Sequence, residues 1–317
     1  MTLQIAVIDD WQGVAGDVVD WSTLEGVGQV HFLHDYPADN GVMAERLAGF
    51  DVICVMRERS TFNEALLRQL PRLKLLVTGG MRNAALDIKA ATALGIQVCG
   101  TDSYKHAAPE LTWALAMALS RNLLKEANSL RAGDWQQGLG SDLYGKTLGI
   151  LGLGSIGQKV ARYGQAFGMR VIAWSENLTP ERAAESGVEY VGKQALFEQA
   201  DLLSVHLVLS ERSRGLVDAR ALGWMKPSAY LVNTARGPIV DEQALITALE
   251  HGRLAGAALD VFEQEPLPAG HPFRTLDNVL ATPHVGYVSQ NNYRMFYSQM
   301  IEDIQAWAAD KPIRVLG

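Results

Sequence analysis

Short runs of Val, Ile and Leu recur along this chain, separated by stretches with helical spacing, and that alternation constrains the fold most. Leu3–Ile8, Val30–Leu33, Val52–Met56, Leu73–Thr78 and Ile96–Cys99 read as strands, with helical patterns at Met43–Ala48, Glu64–Gln69 and Asp87–Leu94. A second series follows at Thr147–Leu151, Arg170–Trp174, Glu189–Val191, Leu202–Leu207, Ala229–Asn233, Gly256–Asp260 and Val279–Ala281. Strands that are apolar throughout must be covered on both faces, as in a parallel sheet with crossover helices. Two such series predict an α/β chain of two doubly wound, Rossmann-like domains with an active-site cleft between them.

The join falls near Thr101–Pro109. Ala108–Leu124 reads as one helix, with Pro109 in its first turn, Glu110 near its N-terminus and Leu111, Leu115 and Leu119 on one face. Arg131–Tyr144 has little periodicity and reads as an extended arm suited to a dimer contact. Ser289–Ala309 reads as a closing helix with Met295, Met300, Ile304 and Trp307 buried. Packed back on the first domain, it would make that domain discontinuous.

The 317 residues are 48% hydrophobic and 20% charged, enough for two cores. A net charge of −7 argues against non-specific nucleic-acid binding, which needs clustered positive charge. No apolar run reaches the ~20 residues of a membrane span. No basic segment followed by an apolar one opens the chain, so no secretory signal is expected. Cys54 and Cys99 lie in strand-like runs and read as buried thiols in a reducing compartment. No His/Cys spacing suggests a metal site. A soluble cytoplasmic enzyme fits these features.

Leu148-Gly149-Ile150-Leu151 leads into Gly152-Leu153-Gly154-Ser155-Ile156-Gly157, a G-x-G-x-x-G that leaves a strand and opens a helix. Gly152 permits the tight turn, Gly154 lets backbone approach a pyrophosphate, and Gly157 lets helix and strand pack closely. The N–H groups near Ser155 and Ile156 would face the phosphates. After the next strand the chain reads Ser175-Glu176-Asn177. An acid there bonds the adenosine ribose. Glu176 stands about the right distance on, although Ser175 can hold the usual acidic position. The nearest cation is Arg182, so NAD is favoured and NADP stays open.

Three further segments lie at strand ends, where such sheets bind ligands. In Asn233-Thr234-Ala235-Arg236-Gly237 the guanidinium of Arg236 suits a 2-oxo acid: it can grip the carboxylate by two parallel bonds and polarise the adjacent carbonyl. Alternatively Arg236 pairs with Asp241 or Glu242. Asp260, closing a strand, can accept from the carboxamide of nicotinamide, and Glu263 and Glu265 follow in the loop. In Thr282-Pro283-His284-Val285-Gly286, His284 alone of seven histidines stands between a strand end and a rigid turn, and His suits proton exchange near neutral pH. A carboxylate on its other ring nitrogen would fix the tautomer and orient the ring. Spacing does not choose between Glu263 and Glu265.

Together these segments resemble the D-isomer-specific 2-hydroxyacid dehydrogenase family, which includes 3-phosphoglycerate dehydrogenase, glyoxylate/hydroxypyruvate reductase and D-lactate dehydrogenase. The resemblance implies that Arg236 binds substrate, His284 is the acid/base and Glu265 is its partner. It counts Thr234 and Asp260 among the cofactor contacts. It implies a homodimer, a dinucleotide-binding domain at 102–285 and a substrate domain of 1–101 plus 286–317. It also implies that backbone N–H groups of Thr78-Gly79-Gly80-Met81-Arg82-Asn83-Ala84 take the substrate carboxylate, giving Gly80, Met81 and Arg82 as substrate-binding residues, with Arg57 a further candidate. Arg82 stands where many relatives have a small residue. The regulatory domain of some phosphoglycerate dehydrogenases is not expected. The activity implied is hydride transfer between nicotinamide and C2 of a small 2-oxo or 2-hydroxy acid such as glyoxylate or hydroxypyruvate, D-specific. Formate dehydrogenase, whose His pairs with Gln, fits less well. Phosphite dehydrogenase and a dinucleotide-sensing corepressor scaffold are the remaining alternatives.

Overall fold

The computed structural model describes residues 2–34 and 40–317. It divides into two compact units, Met1–Tyr104 with Val288–Gly317, and Lys105–Tyr287.

The first unit holds a parallel five-stranded sheet: β1 (Leu3–Val7), β2 (Gly28–Phe32), β3 (Val52–Val55), β4 (Leu75–Thr78) and β5 (Gln97–Gly100), in the order β2-β1-β3-β4-β5. Every residue of β3 and β4 is buried, as apolar runs require. Ile53, Val55, Leu76 and Val98 pack with Leu47, Phe62 and Leu66 from the crossovers. Cys54 and Cys99 are buried free thiols. Burial pushes Cys54 above the ordinary thiol range and Cys99 up to about 12, which leaves both inert.

The second unit holds β6 (Thr147–Leu151), β7 (Arg170–Trp174), β8 (Glu189–Tyr190), β9 (Leu202–Val205), β10 (Tyr230–Asn233), β11 (Gly256–Leu259) and β12 (Val279–Ala281), in the order β12-β11-β10-β9-β6-β7-β8. All pairings are parallel. This is the doubly wound order, with its reversal between β6 and β9. Side chains alternate between two cores. Leu148, Ile150, Ala173, Val232 and Ala258 enter one, and Leu151, Ile172, Leu203, Leu231 and Leu259 enter the other. A two-residue period with apolar groups on both faces is what a covered parallel sheet demands.

Three expectations are corrected. The single helix expected over Ala108–Leu124 is two, Ala107–Ser120 and Leu123–Ala132. Between them Asn122 takes a left-handed backbone with φ 53°, which breaks the helix. The expected arm at Arg131–Tyr144 therefore begins as the end of the second helix, closed by Gly133 at φ 95°. The closing helix, Gln290–Ala308, buries Tyr293, Phe296, Tyr297, Met300 and Ile304, while Met295 and Trp307 are only half-buried. Its apolar face runs through the aromatics at i, i+3 and i+4 and Met300 at i+7, a stripe from which Met295 lies aside.

Candidate active site

The glycine loop leaves β6 and enters the helix Ser155–Ala166. Gly152 sits at φ +102°, and a Cβ there would lie 2.9 Å from the His206 carbonyl carbon and oxygen. A Cβ on Gly157 would come within 2.2 Å of Gly152 O. Only glycine permits either approach. A Cβ on Gly154 would meet nothing within 4 Å. Gly154 is the N-cap and offers no side chain to the first helical N–H groups, and Gly154, Ser155 and Ile156 are exposed. The loop is thus closed underneath and open above a helix N-terminus, which fits a dinucleotide pyrophosphate. Half-buried Ser175 and exposed Glu176 follow β7. Lys193 Nζ lies 6.0 Å from the Trp174 ring centre.

Arg236 follows β10. Asn233 shapes the turn: its Nδ2 donates to Arg236 O at 3.1 Å and its Oδ1 accepts from Ala235 N at 3.0 Å. Arg236 Nη1 donates to Ala235 O at 2.7 Å. Asp241 accepts from Ala244 N at the start of the helix Glu242–Glu250. Thr234 Oγ1 lies 2.6 Å from Thr112 Oγ1, which itself donates to Ala108 O, so Thr234 is the donor of that pair.

Glu265 and His284 meet. Glu265 Oε2 lies 2.6 Å from His284 Nδ1, and Glu265 Oε1 accepts from Phe262 N at 2.9 Å. A carboxylate only accepts, so Nδ1 carries the hydrogen and Nε2 is left for chemistry. Glu265 therefore occupies the position that spacing left open between it and Glu263. His284 holds a left-handed backbone, φ 52°, uncommon for a residue with a side chain and typical of functional turns.

Asp260 explains how that turn is held. Its Oδ1 accepts from Thr282 Oγ1 at 2.6 Å and Val285 N at 2.8 Å, and its Oδ2 accepts from Gly286 N at 2.8 Å. The carboxylate is wholly buried, and burial raises its pKa despite these three bonds and the nearby His284. This clamp was not anticipated from the sequence.

A second histidine also follows a strand end, though no proline turn stands beside it. His206 comes directly after β9, with its Nε2 2.8 Å from Ser204 Oγ. Desolvation pushes its imidazole down to about 3, so it stays neutral at physiological pH and is unsuited to proton exchange.

In the first unit, Gly80 follows β4 at φ +92°, and its N–H donates to Thr101 Oγ1 at 2.8 Å. Arg57, left-handed at φ 56°, donates from Nη1 to Gly79 O at 3.1 Å. A Cβ on Gly80 would lie 1.9 Å from that Nη1, so glycine is required beneath the guanidinium. Asn83 Nδ2 donates to Arg57 O and Thr78 Oγ1, tying the loop to β4. Met81 and Arg82 are exposed. Among the described residues no group of His, Cys, Asp and Glu is arranged to hold a metal, and no helix is long and apolar enough to cross a membrane.

The profile of the D-isomer specific 2-hydroxyacid dehydrogenase NAD binding domain matches residues 113–286. Glyoxylate reductase of Aeropyrum pernix is 40% identical over 256 residues, 78% of this chain and 76% of the relative. D-3-phosphoglycerate dehydrogenase of Methanocaldococcus jannaschii is 37% identical over 267 residues, 83% of this chain but 50% of that longer protein. The crystal structure of phosphoglycerate oxidoreductase from Vibrio cholerae O395 superposes with a TM-score of 0.93 at 37% identity, over 98% of this chain and 100% of that one. The chain belongs to the D-isomer specific 2-hydroxyacid dehydrogenase family. It is an oxidoreductase with that family's NAD-binding domain.

Proposed function

We propose that this enzyme reduces a small 2-oxo acid, glyoxylate or hydroxypyruvate, to the D-2-hydroxy acid, with His284, Glu265 and Arg236 as its catalytic set. The observation that carries the reading is the 2.6 Å contact between Glu265 Oε2 and His284 Nδ1. It fixes the tautomer, so that Nε2 can hand a proton to the developing alkoxide in reduction or take the hydroxyl proton in oxidation. Arg236 binds the substrate carboxylate by its two-pronged guanidinium and polarises the neighbouring carbonyl. The nicotinamide, when bound, supplies or accepts the hydride. Gly152, Gly154, Ser155, Ile156 and Gly157 hold the pyrophosphate, Ser175 and Glu176 the adenosine ribose, and Thr234 borders the cofactor. Asp260, wholly buried, serves the cofactor site by holding the turn that carries His284. Met81 offers its backbone N–H to the carboxylate, Gly80 shapes the loop with its own N–H held by Thr101 Oγ1, and Arg57 and Arg82 add positive charge. The two buried free thiols suit a reducing compartment such as the cytoplasm.

The test is turnover of a panel of 2-oxo acids with NADH and NADPH in parallel. Preferred reduction of glyoxylate or hydroxypyruvate with NADH supports the reading. Dinucleotide binding without turnover of any 2-oxo acid favours a scaffold and overturns it.

A homodimer is proposed through the segment that follows Ser120. Leu130 is 60% exposed, Trp135 73%, Leu139 96% and Tyr144 82%. The segment is tied down by Gln137 N, which donates to the Glu126 carboxylate, and by Asn122 Nδ2, which donates to Leu139 O. Apolar side chains displayed on an ordered strap call for a covering surface, and a second copy of this chain supplies one.

A further inference from the structure

We propose that Glu242 and His271 are positioning residues, which hold the loop bearing Glu265 so that its carboxylate meets His284. The inference rests on the reading of Glu265 and His284 given above and extends it to a pair that touches neither ring nor substrate.

Glu242 is the first residue of the helix Glu242–Glu250. Its Oε2 accepts from Glu263 N at 3.2 Å and its Oε1 lies 3.0 Å from His271 Nε2. His271 Nδ1 accepts from Phe273 N at 3.2 Å, so the ring hydrogen is on Nε2 and points at Glu242. Both side chains are largely covered, at 21% exposure for Glu242 and 14% for His271. Arg274 closes the same loop by donating to Leu267 O at 2.6 Å and Pro268 O at 2.9 Å.

The peptide joining Phe262 to Glu263 is the centre of this arrangement. Its N–H is the one held by Glu242. Its carbonyl lies against Gly237, where a Cβ would come within 2.0 Å of Phe262 C and 2.1 Å of its O. The preceding N–H, on Phe262, is the one that Glu265 Oε1 accepts from. Glu265 thus folds back onto the N–H of the peptide just before a plane that is fixed from one side by Gly237, beside Arg236, and from the other by Glu242. Release of Glu242 frees that plane to rotate, and the 2.6 Å contact with His284 is the first to feel it.

The experiment compares Glu242→Ala, Glu242→Gln and Glu265→Gln in the full-length protein. Its first readout is proton NMR of the hydrogen between His284 Nδ1 and Glu265, expected far downfield of the amides and identified by its loss in Glu265→Gln. Its second readout is kcat and KM with the preferred 2-oxo acid, beside NADH affinity. In Glu242→Ala the downfield resonance should shift or broaden and kcat should fall about 10- to 100-fold, the scale of a misplacement near 1 Å. KM and NADH affinity should stay within about twofold, because neither the glycine loop nor Arg236 is altered. Glu242→Gln keeps an oxygen for Glu263 N but turns an N–H2 toward the His271 donor, so it should recover part of the loss. A wild-type resonance and wild-type kcat in Glu242→Ala, with Glu265→Gln impaired, would overturn this inference alone. Unimpaired Glu265→Gln would overturn the mechanism beneath it. Equal losses in kcat, KM and NADH affinity would show general unfolding and also refute the positioning role.

Discussion

Glu265→Gln removes one charge and exchanges one oxygen for N–H2, and the geometry determines what the amide can do. In the native site Oε1 accepts from Phe262 N at 2.9 Å while Oε2 faces His284 Nδ1 at 2.6 Å. An amide can satisfy one of these donors, never both. With its oxygen on Phe262 N, the N–H2 group faces Nδ1 and forces that nitrogen to accept, which puts the ring hydrogen on Nε2 and leaves no base for the hydroxyl proton. With its oxygen on Nδ1, the Phe262 N–H, in a residue 6% exposed, loses its acceptor to a second donor. An unsatisfied buried group costs about 1–3 kcal/mol. Loss of the charge-assisted bond to an imidazolium adds about as much again. The sum, about 2–6 kcal/mol, corresponds to a fall in kcat of roughly 30-fold to 10⁴-fold. NADH affinity should stay near wild type, since the glycine loop is untouched. Stopped-flow reduction of the preferred 2-oxo acid, with NADH binding followed by fluorescence, makes the measurement. A variant within threefold of wild type in kcat would show that the carboxylate does not govern the ring, and the tautomer argument would fall.

Gly157→Ala places a methyl group 2.2 Å from Gly152 O and must displace the helix N-terminus from the turn. Overpacking of this kind costs about 1–3 kcal/mol, so NADH binding should weaken about tenfold or more, and calorimetry showing unchanged affinity would refute the cradle. Burial raises the Asp9 carboxyl from 3.8 to about 6, with Ser60 and Arg59 opposing it. The folded protein therefore holds a proton that the unfolded chain has lost between pH 4 and 6, and stability falls through that window by up to about 1.4 kcal/mol per pH unit. Asp9→Asn, tolerated at φ 64°, should gain on wild type from pH 4 to 6 and run parallel above it; denaturation curves parallel throughout would contradict the assignment. Trp135→Asp combined with Leu139→Asp should yield monomers in sedimentation, and an intact dimer would remove the strap from the interface.

The fold was legible because both sheets are parallel and covered. A strand buried on both faces writes itself as a continuous apolar run, as β3, β4 and β9 do, whereas the exposed edge strand β8 carries no such run. Helices were harder, because their limits depend on single residues. Nothing in the letters around Asn122 says that this residue, among several that tolerate a left-handed backbone, will take one and split the helix. The apolar face of Gln290–Ala308 was misjudged for a related reason: three tyrosine and phenylalanine rings carry most of its burial, and tyrosine reads as ambivalent in sequence.

The site divides along the same line. Gly152, Gly154 and Gly157 were legible because each answers a local backbone need, and the contacts within one turn state it. The demand for glycine at Gly237 and the hold of Asp260 on a distant turn were not, because their reasons lie in segments distant in the chain. Gly237 is bare because a peptide 25 residues onward rests on it, and Asp260 is buried because it holds the turn of His284. Spacing could name His284 as a candidate, yet the choice of Glu265 over Glu263 needed the hydrogen bond that turns one of these acids inward. The other contributes its backbone N–H to Glu242. Two acids separated by one residue thus take opposite parts in one loop: Glu265 accepts from Phe262 N, while Glu263 gives its backbone N–H to Glu242. On the mechanism proposed above, the motif is the visible end of a backbone arrangement, and substitutions at Glu242 or Gly237 should act on the proton transfer as substitutions within the motif itself do.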